Sequence, residues 1–501
     1  MNLDWRICSR ARLARDARFD GKFFIGVLST GIYCRPICRA RTSKESNVRY
    51  FPTAACAAEA GFRPCLRCRP ECSPGTPAWA GTQKTVSRAL QLISENGLED
   101  GGVEGLAERL GMGSRHLRRL FLRHLGATPS AVAHTRRLHF AKKLIDETRL
   151  PMSQIAIAAG FGTVRRFNAA IQKVYRRTPT HIRRLACVDP SLAQNEYSFR
   201  LNFRPPYNWR RILEFLSSGA TRGVEAVESG HYRRSIRLNG RDGQIEVSLD
   251  NENNALIARV LFGDSQMLFW IIERIRAMFD LNADWAVIGE TLRADPILRR
   301  RMDADPGLRV PGCWDGFELG VCTILGQQRT RKGATALAGR MVSHFGQRLS
   351  AANGVTHLFP TPEAIAGADL ARIGITRPVA ETVRVFARAV CDRQIRFDGV
   401  PDYEAFRVRL REIPGIGEWA AQFVVMRALR DPDALPASDV ELCHRMGCTS
   451  AELKRRSEAW RPWRSYAAIL LWQSSGRGES RAKIRVPSYP YSALPLESGP
   501  W

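Results

Sequence analysis

The chain has 501 residues, enough for three or four domains, and 76 Lys and Arg against 49 Asp and Glu give a formal net charge of +27. So large a basic excess implies a polyanionic partner. No apolar run of membrane-spanning length (~18 residues) occurs, which excludes a membrane helix; the opening Met1-Asn2-Leu3-Asp4-Trp5-Arg6 has no apolar signal core, so a cytoplasmic protein is expected. Thirteen cysteines, an odd number, suit reduced thiols and a metal better than a disulfide framework.

The first unit spans residues 1–75. Cys34 and Cys38 form one close pair, Cys65 and Cys68 another, with 26 residues between the pairs. Four thiolates satisfy one tetrahedral Zn²⁺, and in a segment this short the metal would supply much of the folding energy. Cys8, Cys56 and Cys72 lie outside the pairs and read as ordinary. Phe24-Ile-Gly-Val, Thr30-Gly-Ile-Tyr-Cys34-Arg-Pro, Asn47-Val-Arg-Tyr-Phe and Ala60-Gly-Phe-Arg-Pro-Cys65 resemble the metal-binding N-terminal domain of the adaptive-response Ada family. The resemblance implies that Cys34 is both a ligand and the acceptor of a methyl group from a DNA methylphosphotriester. Metal keeps a thiol deprotonated, and the thiolate is the nucleophile. Methylating one of four thiolates takes the site from net −2 to −1, which favours phosphate binding. A thioether does not revert, so the transfer would be stoichiometric.

Ser73-Pro-Gly-Thr-Pro77 has linker composition. An all-α unit is expected over 83–186. Val103–Leu122 reads as helix, turn, helix, with a Leu/Ala core stripe, Gly111 at the turn and Ser114 as cap of the second helix. The pattern recurs over Met152–Tyr175, joined by a basic helix at Val132–Asp146. These two units resemble the AraC-type DNA-binding domain, whose second helices enter adjacent major grooves. Arg115, His116, Arg118, Arg165, Arg166 and Asn168 are the expected contacts to base or phosphate of a promoter operator, and RNA polymerase is the expected partner of such an activator.

Over 195–305, Tyr197–Phe203, Arg234–Leu238 and Gln244–Leu249 alternate like strands, and Trp209–Ser217 and Phe269–Phe279 read as helices. Phe203-Arg-Pro-Pro-Tyr-Asn-Trp209 resembles the TATA-binding-protein-like N-terminal α+β domain of the AlkA type of 3-methyladenine glycosylase. No catalytic residue is expected here from strand chemistry.

The last folded unit, 306–478, is expected to be all-α; a tail over 479–501 has no readable role. Its centre is Leu410-Arg-Glu-Ile413-Pro414-Gly415-Ile416-Gly417-Glu418-Trp419, two apolar helices joined by a tight turn. Pro ends the first helix, the glycines admit a close backbone approach, and the second helix offers unpaired N–H groups, which makes a phosphate seat. The stretch resembles the helix-hairpin-helix DNA glycosylases. Members of that superfamily that also cut the backbone carry lysine where Trp419 stands, so the resemblance implies a monofunctional, water-using enzyme of the DNA-3-methyladenine glycosylase II kind needing no metal. Asp439 would then stabilise the cationic sugar as the base departs. Trp419, Trp472, Phe215 and Phe423 match aromatic pocket positions, suited to a cationic alkylated purine by cation–π attraction. The amides of Ile413, Gly415 and Gly417 are expected on the phosphate. Gln328 falls where an apolar wedge is usual, and Val440 replaces an aromatic neighbour of the aspartate. Cys443-His444-Arg445 looks like the acceptor motif of alkylguanine transferases, but no proline precedes it, and it reads as coincidence.

The expected architecture is thus a multidomain chain of mixed α and α+β class. A small four-cysteine zinc domain, a double helix-turn-helix domain, an α+β domain and a helix-hairpin-helix glycosylase domain succeed one another in a monomer that binds double-stranded DNA. The alternative is a regulator whose glycosylase half binds DNA without catalysis.

Overall fold

A computed structural model describes residues 4–74, 84–96, 98, 101–185, 192–327, 330–349, 354–400 and 402–473. Gln328 and the tail over 479–501 lie outside the described residues.

The first unit opens with α1 (Trp5–Ala14), then β1 (Phe24–Val27), β2 (Ile32–Cys34), β3 (Val48–Phe51), α2 (Ala54–Glu59) and β4 (Arg63–Pro64). The sheet runs β3-β1-β2-β4, with only β2 and β4 parallel. Its core is two small clusters, Phe24, Tyr33, Phe51, Ala57 and Phe62 in one and Cys8, Ala11, Phe23 and Ile25 in the other. So little apolar area cannot offset the chain entropy alone, the condition in which a bound metal carries the fold.

The all-α unit holds α3 (Lys84–Asn96), α4 (Gly102–Arg109), α5 (Ser114–Leu125), α6 (Pro129–Glu147), α7 (Met152–Ala158), α8 (Val164–Tyr175) and α9 (Pro179–Arg184). Both turns pivot on a glycine at positive φ, Gly111 at 67° and Gly160 at 73°. One capping expectation fails. Ser114 is the first helical residue of α5; Gly113, with extended backbone and no side chain to offer, is the cap, whereas Thr163 caps α8 through the Arg166 amide.

The α+β unit is an antiparallel sheet in the order β5-β9-β8-β7-β6, with β5 (Glu196–Asn202), β6 (Glu225–Glu228), β7 (His231–Leu238), β8 (Arg241–Asp250) and β9 (Ala255–Phe262). Helices α10 (Trp209–Gly219) and α11 (Leu268–Met278) pack their apolar residues with it. The helical part then runs α12 (Trp285–Leu292), α13 (Pro296–Ala304), α14 (Gly316–Gly326), α15 (Arg331–Phe345), α16 (Pro362–Ala366), α17 (Arg377–Cys391), α18 (Tyr403–Glu412), α19 (Glu418–Ala428), α20 (Val440–Met446), α21 (Ser450–Arg456) and α22 (Arg464–Trp472). Pro462, which cannot donate to a helix ladder, separates the short turn at Ser457–Trp460 from α22, which starts after it.

The cores do not respect the expected boundaries. Phe167, Ile171 and Tyr175 of α8 share one core with Phe199, Val247 and Ile275 of the α+β unit. Ala55 of α2 joins the core of α3, α4 and α5. Trp285, Leu292 and Met302, ahead of the 305/306 boundary, pack with Leu442, Trp460 and Leu471 near the end of the described chain.

Candidate functional site

The hairpin is built from the end of α18 to the start of α19. Gly415 has φ +89°, and a Cβ there would meet Thr382 Oγ1 of α17 at 2.2 Å, so only glycine fits. Gly417 is the cap of α19, and a Cβ there would meet nothing within 4 Å. The two glycines therefore do different work: the first lets the turn press onto α17, the second keeps the helix N-terminus open. One expectation is corrected. The Ile413 amide is taken, donating to the Leu410 carbonyl at 3.3 Å, and Ile416 N–H donates to Ile413 at 3.1 Å. Among the described residues the Gly415 and Gly417 amides have no acceptor. Glu418 would repel a phosphate, but both its oxygens lie 2.6 Å from Arg407, and Arg411 stands 3.2 Å away.

Twenty residues after Trp419, Asp439 caps α20, its Oδ1 accepting from the Leu442 amide at 2.9 Å. Capping is only one of its engagements. Trp419 Nε1 donates to Oδ2 at 2.8 Å and Trp472 Nε1 to Oδ1 at 3.2 Å. Two indoles from α19 and α22 thus grip one half-buried carboxylate, and no Lys or Arg pairs with it among the described residues. Trp419 stacks on Phe423 one helical turn later, centroids 5.2 Å apart and planes 10° apart, while Trp472 meets Phe423 edge-on at 6.0 Å.

Phe215, on α10, joins this wall through a residue that the sequence reading missed. The Arg427 guanidinium lies 5.0 Å from the Phe215 centroid and 5.5 Å from that of Phe423. It donates to the carbonyls of Pro311 and Gly312 at 2.9 and 2.8 Å, and burial lowers its pKa. Its signal was an arginine one helical turn after Phe423 in the apolar second half of α19, an expensive choice unless every N–H is used. Val440, beside the aspartate, is 53% exposed. The Cys443 thiol donates to the Ala437 carbonyl at 3.5 Å and burial pushes its pKa up, the opposite of an activated nucleophile. A cavity of about 700 Å³ lies elsewhere, between the units and lined by His139, Trp270 and Trp314; it contains no residue of this wall.

In the first unit the ligating sulfurs of Cys34, Cys38, Cys65 and Cys68 lie within 4.8 Å of one another. A tetrahedron with metal–sulfur bonds of about 2.3 Å has edges of roughly 3.8 Å, so the set fits Zn²⁺. The sulfurs differ in their surroundings. Cys68 accepts the Arg35 N–H at 3.3 Å. Arg35 is itself fixed by a buried pair with Asp20.

The recognition-helix positions Arg115, His116, Arg118, Arg165, Arg166 and Asn168 are all exposed. Arg118 pairs with Glu104 at 2.8 Å, and His116 with Arg119 at 2.9 Å.

Three family models match the chain: the metal binding domain of Ada over residues 7–71, a helix-turn-helix domain over 106–185 and the AlkA N-terminal domain over 198–315. With the sulfur cluster, the first assigns a zinc ion to this site. DNA-3-methyladenine glycosylase 2 of Escherichia coli is 31% identical over 282 residues, which cover 56% of this chain and 98% of that one. The Escherichia coli bifunctional transcriptional activator/DNA repair enzyme Ada is 40% identical over 119 residues, 24% of this chain and 32% of that one. A probable bifunctional transcriptional activator/DNA repair enzyme AlkA of Mycobacterium tuberculosis is 38% identical over 481 residues, covering 94% of this chain and 97% of its own length. The chain belongs to the family of these bifunctional transcriptional activator/DNA repair enzymes.

Proposed function

We propose that the chain repairs alkylated DNA in two ways and regulates transcription in response. Its glycosylase removes 3-methyladenine-type bases hydrolytically, without a metal, and leaves the backbone intact. The observation that carries this reading is the paired indole grip on Asp439 beside the hairpin. A flipped nucleotide anchored by its phosphate at Gly415 and Gly417 brings its sugar to the aspartate while the damaged base meets Trp419 and Trp472. As the N-glycosyl bond lengthens, the sugar gains positive charge, which the carboxylate stabilises by several kcal/mol. Oδ1 is taken by the Leu442 amide and Trp472, while Oδ2, bonded by Trp419 alone, keeps a lone pair for a water that attacks the sugar.

At Cys34 the sulfur attacks the methyl carbon of a methylphosphotriester; the S–C bond forms, the C–O bond breaks and an ordinary phosphodiester leaves. Bound zinc would keep the thiol ionised. Cys68 accepts the Arg35 N–H, which makes it a poorer nucleophile; the choice of Cys34 among the remaining three rests on the likeness to the metal binding domain of Ada. Arg115, His116, Arg118, Arg165, Arg166 and Asn168 would hold operator DNA, with RNA polymerase the partner of a monomeric activator in the cytoplasm.

Purified protein incubated with methylated DNA should release 3-methyladenine, identified by chromatography, with no strand cut. Asp439→Asn should lower that rate roughly 10²-fold or more while DNA binding persists; unchanged excision would refute the assignment. In parallel, mass spectrometry should find the phosphotriester methyl on Cys34 and none taken up by Cys34→Ser.

A further inference from the structure

The two recognition helices are superposable in register, and their exposed faces carry different chemistry. The caps Gly113 and Thr163 correspond, as do the buried anchors Leu117 with Phe167, Phe121 with Ile171, and Leu125 with Tyr175. In that register Arg118 stands where α8 has Asn168, and Leu122 where α8 has Gln172. All four are exposed. Residues three and four apart share a helix face, so Arg165, Asn168 and Gln172 form one stripe on α8.

A carboxamide can donate to N6 and accept at N7 of adenine at once, and an arginine can fork onto guanine; a leucine can do neither. On α5 the equivalent stripe is Arg115, Arg118 and Leu122, with Arg118 tied to Glu104. Arg118 is thereby held away from a base, and a stripe without amides has no side chain that reads adenine, while its charge draws phosphate whatever the sequence. Neither Arg165 nor its counterpart Arg115 pairs with an acid among the described residues, so the two stripes differ in their amides. Leu66 of the first unit packs against the core that holds the inner side of α8, so the outer stripe remains open while the helix is braced from behind.

We infer that adenine reading resides in the second helix-turn-helix: Asn168 and Gln172 read adenines in one half-site, while α5 supplies phosphate affinity and no adenine contact. The inference rests on the proposed operator binding and divides it between the two helices.

The test uses the full-length, zinc-loaded protein. Duplexes bound from a randomised pool are sequenced, and affinities for the selected and a scrambled site are followed by anisotropy over a salt series. Asn168→Ala/Gln172→Ala should lose about tenfold or more of its preference for the selected site, at A·T pairs of one half-site only, with the salt slope unchanged. Arg115→Ala/Arg119→Ala should lower the slope by about 2 and keep the preference at those A·T pairs. If the amide variant keeps its preference, or the arginine variant loses the A·T preference, the division is wrong although operator binding stands. If the parent enriches no motif, operator binding itself fails and the division with it.

Discussion

Asp439 shows what a single side chain can be asked to do. It caps α20, accepts from two indoles and still faces the hairpin. A hydrogen bond to a charged group is worth about 1.5–3 kcal/mol. Trp472→Phe keeps a ring beside Phe423 and removes one N–H bond. Single-turnover excision should therefore slow roughly tenfold or more with little change in substrate affinity, because the ring proposed to meet the base persists while the carboxylate loosens. A change in affinity alone would mean that Trp472 serves only as a wall. Gly415, Trp419 and Asp439 were legible because their spacing reflects local geometry: a turn, the helix it opens, the cap of another helix. Arg427 was not, because its partners Phe215, Pro311 and Gly312 are brought together only by the fold.

At the scale of elements, α6 is the joint of the front half. Its His139 shares a 2.9 Å hydrogen bond with the Tyr33 hydroxyl on β2, and its Lys142 reaches Glu71 and Asp146 in a buried charge cluster with Arg69. Burial lowers His139 to about 4, against the opposing pull of Glu71 and together with Lys142. The unfolded chain binds a proton near 6.5, so it takes up protons that the folded state refuses. Stability from this residue is therefore present above about pH 6.5 and lost as pH falls towards 4, by about 3 kcal/mol in all. His139→Gln, neutral throughout and able to bond Tyr33, should flatten the difference in melting temperature between pH 7 and pH 5; an equally steep loss in the variant would place the acid sensitivity elsewhere. The helices were readable in sequence because Gly, Thr and Pro mark their ends. Strand β9 was not, since Ala-Leu-Ile-Ala-Arg-Val-Leu-Phe is apolar on both faces and shows little alternation; it lies between β5 and β8.

Over the whole molecule the four sequence units become fewer physical ones. A surface that looks polar in one unit is core once another covers it, and residues some hundred positions apart give no local sign of that. Arg204 is the extreme case: 1% exposed, it donates to the carbonyls of Asp20 at 2.8 Å, Asn282 at 2.6 Å and Pro74 at 3.4 Å. It therefore ties the metal unit to the α+β unit through backbone carbonyls of both. Burial lowers its pKa only to about 10, so it stays charged at neutral pH. Gly21 makes room for it, since a Cβ there would meet the Pro74 carbonyl at 2.2 Å, and Lys22 adds a 2.6 Å pair with buried Asp284. Arg204→Met would leave two buried carbonyls, of Asp20 and Pro74, and the part-buried one of Asn282 without this donor, at roughly 1–3 kcal/mol for each buried one. Because those carbonyls are shared between units, the loss should appear as undocking. Hydrogen exchange should quicken in residues 20–74 and on β5, and chelators should strip zinc faster, while amides of α18 and α19 keep their protection and base excision survives. If exchange instead quickens equally across α18 and α19, the front unit and the glycosylase unfold as one body, and Arg204 braces the whole chain.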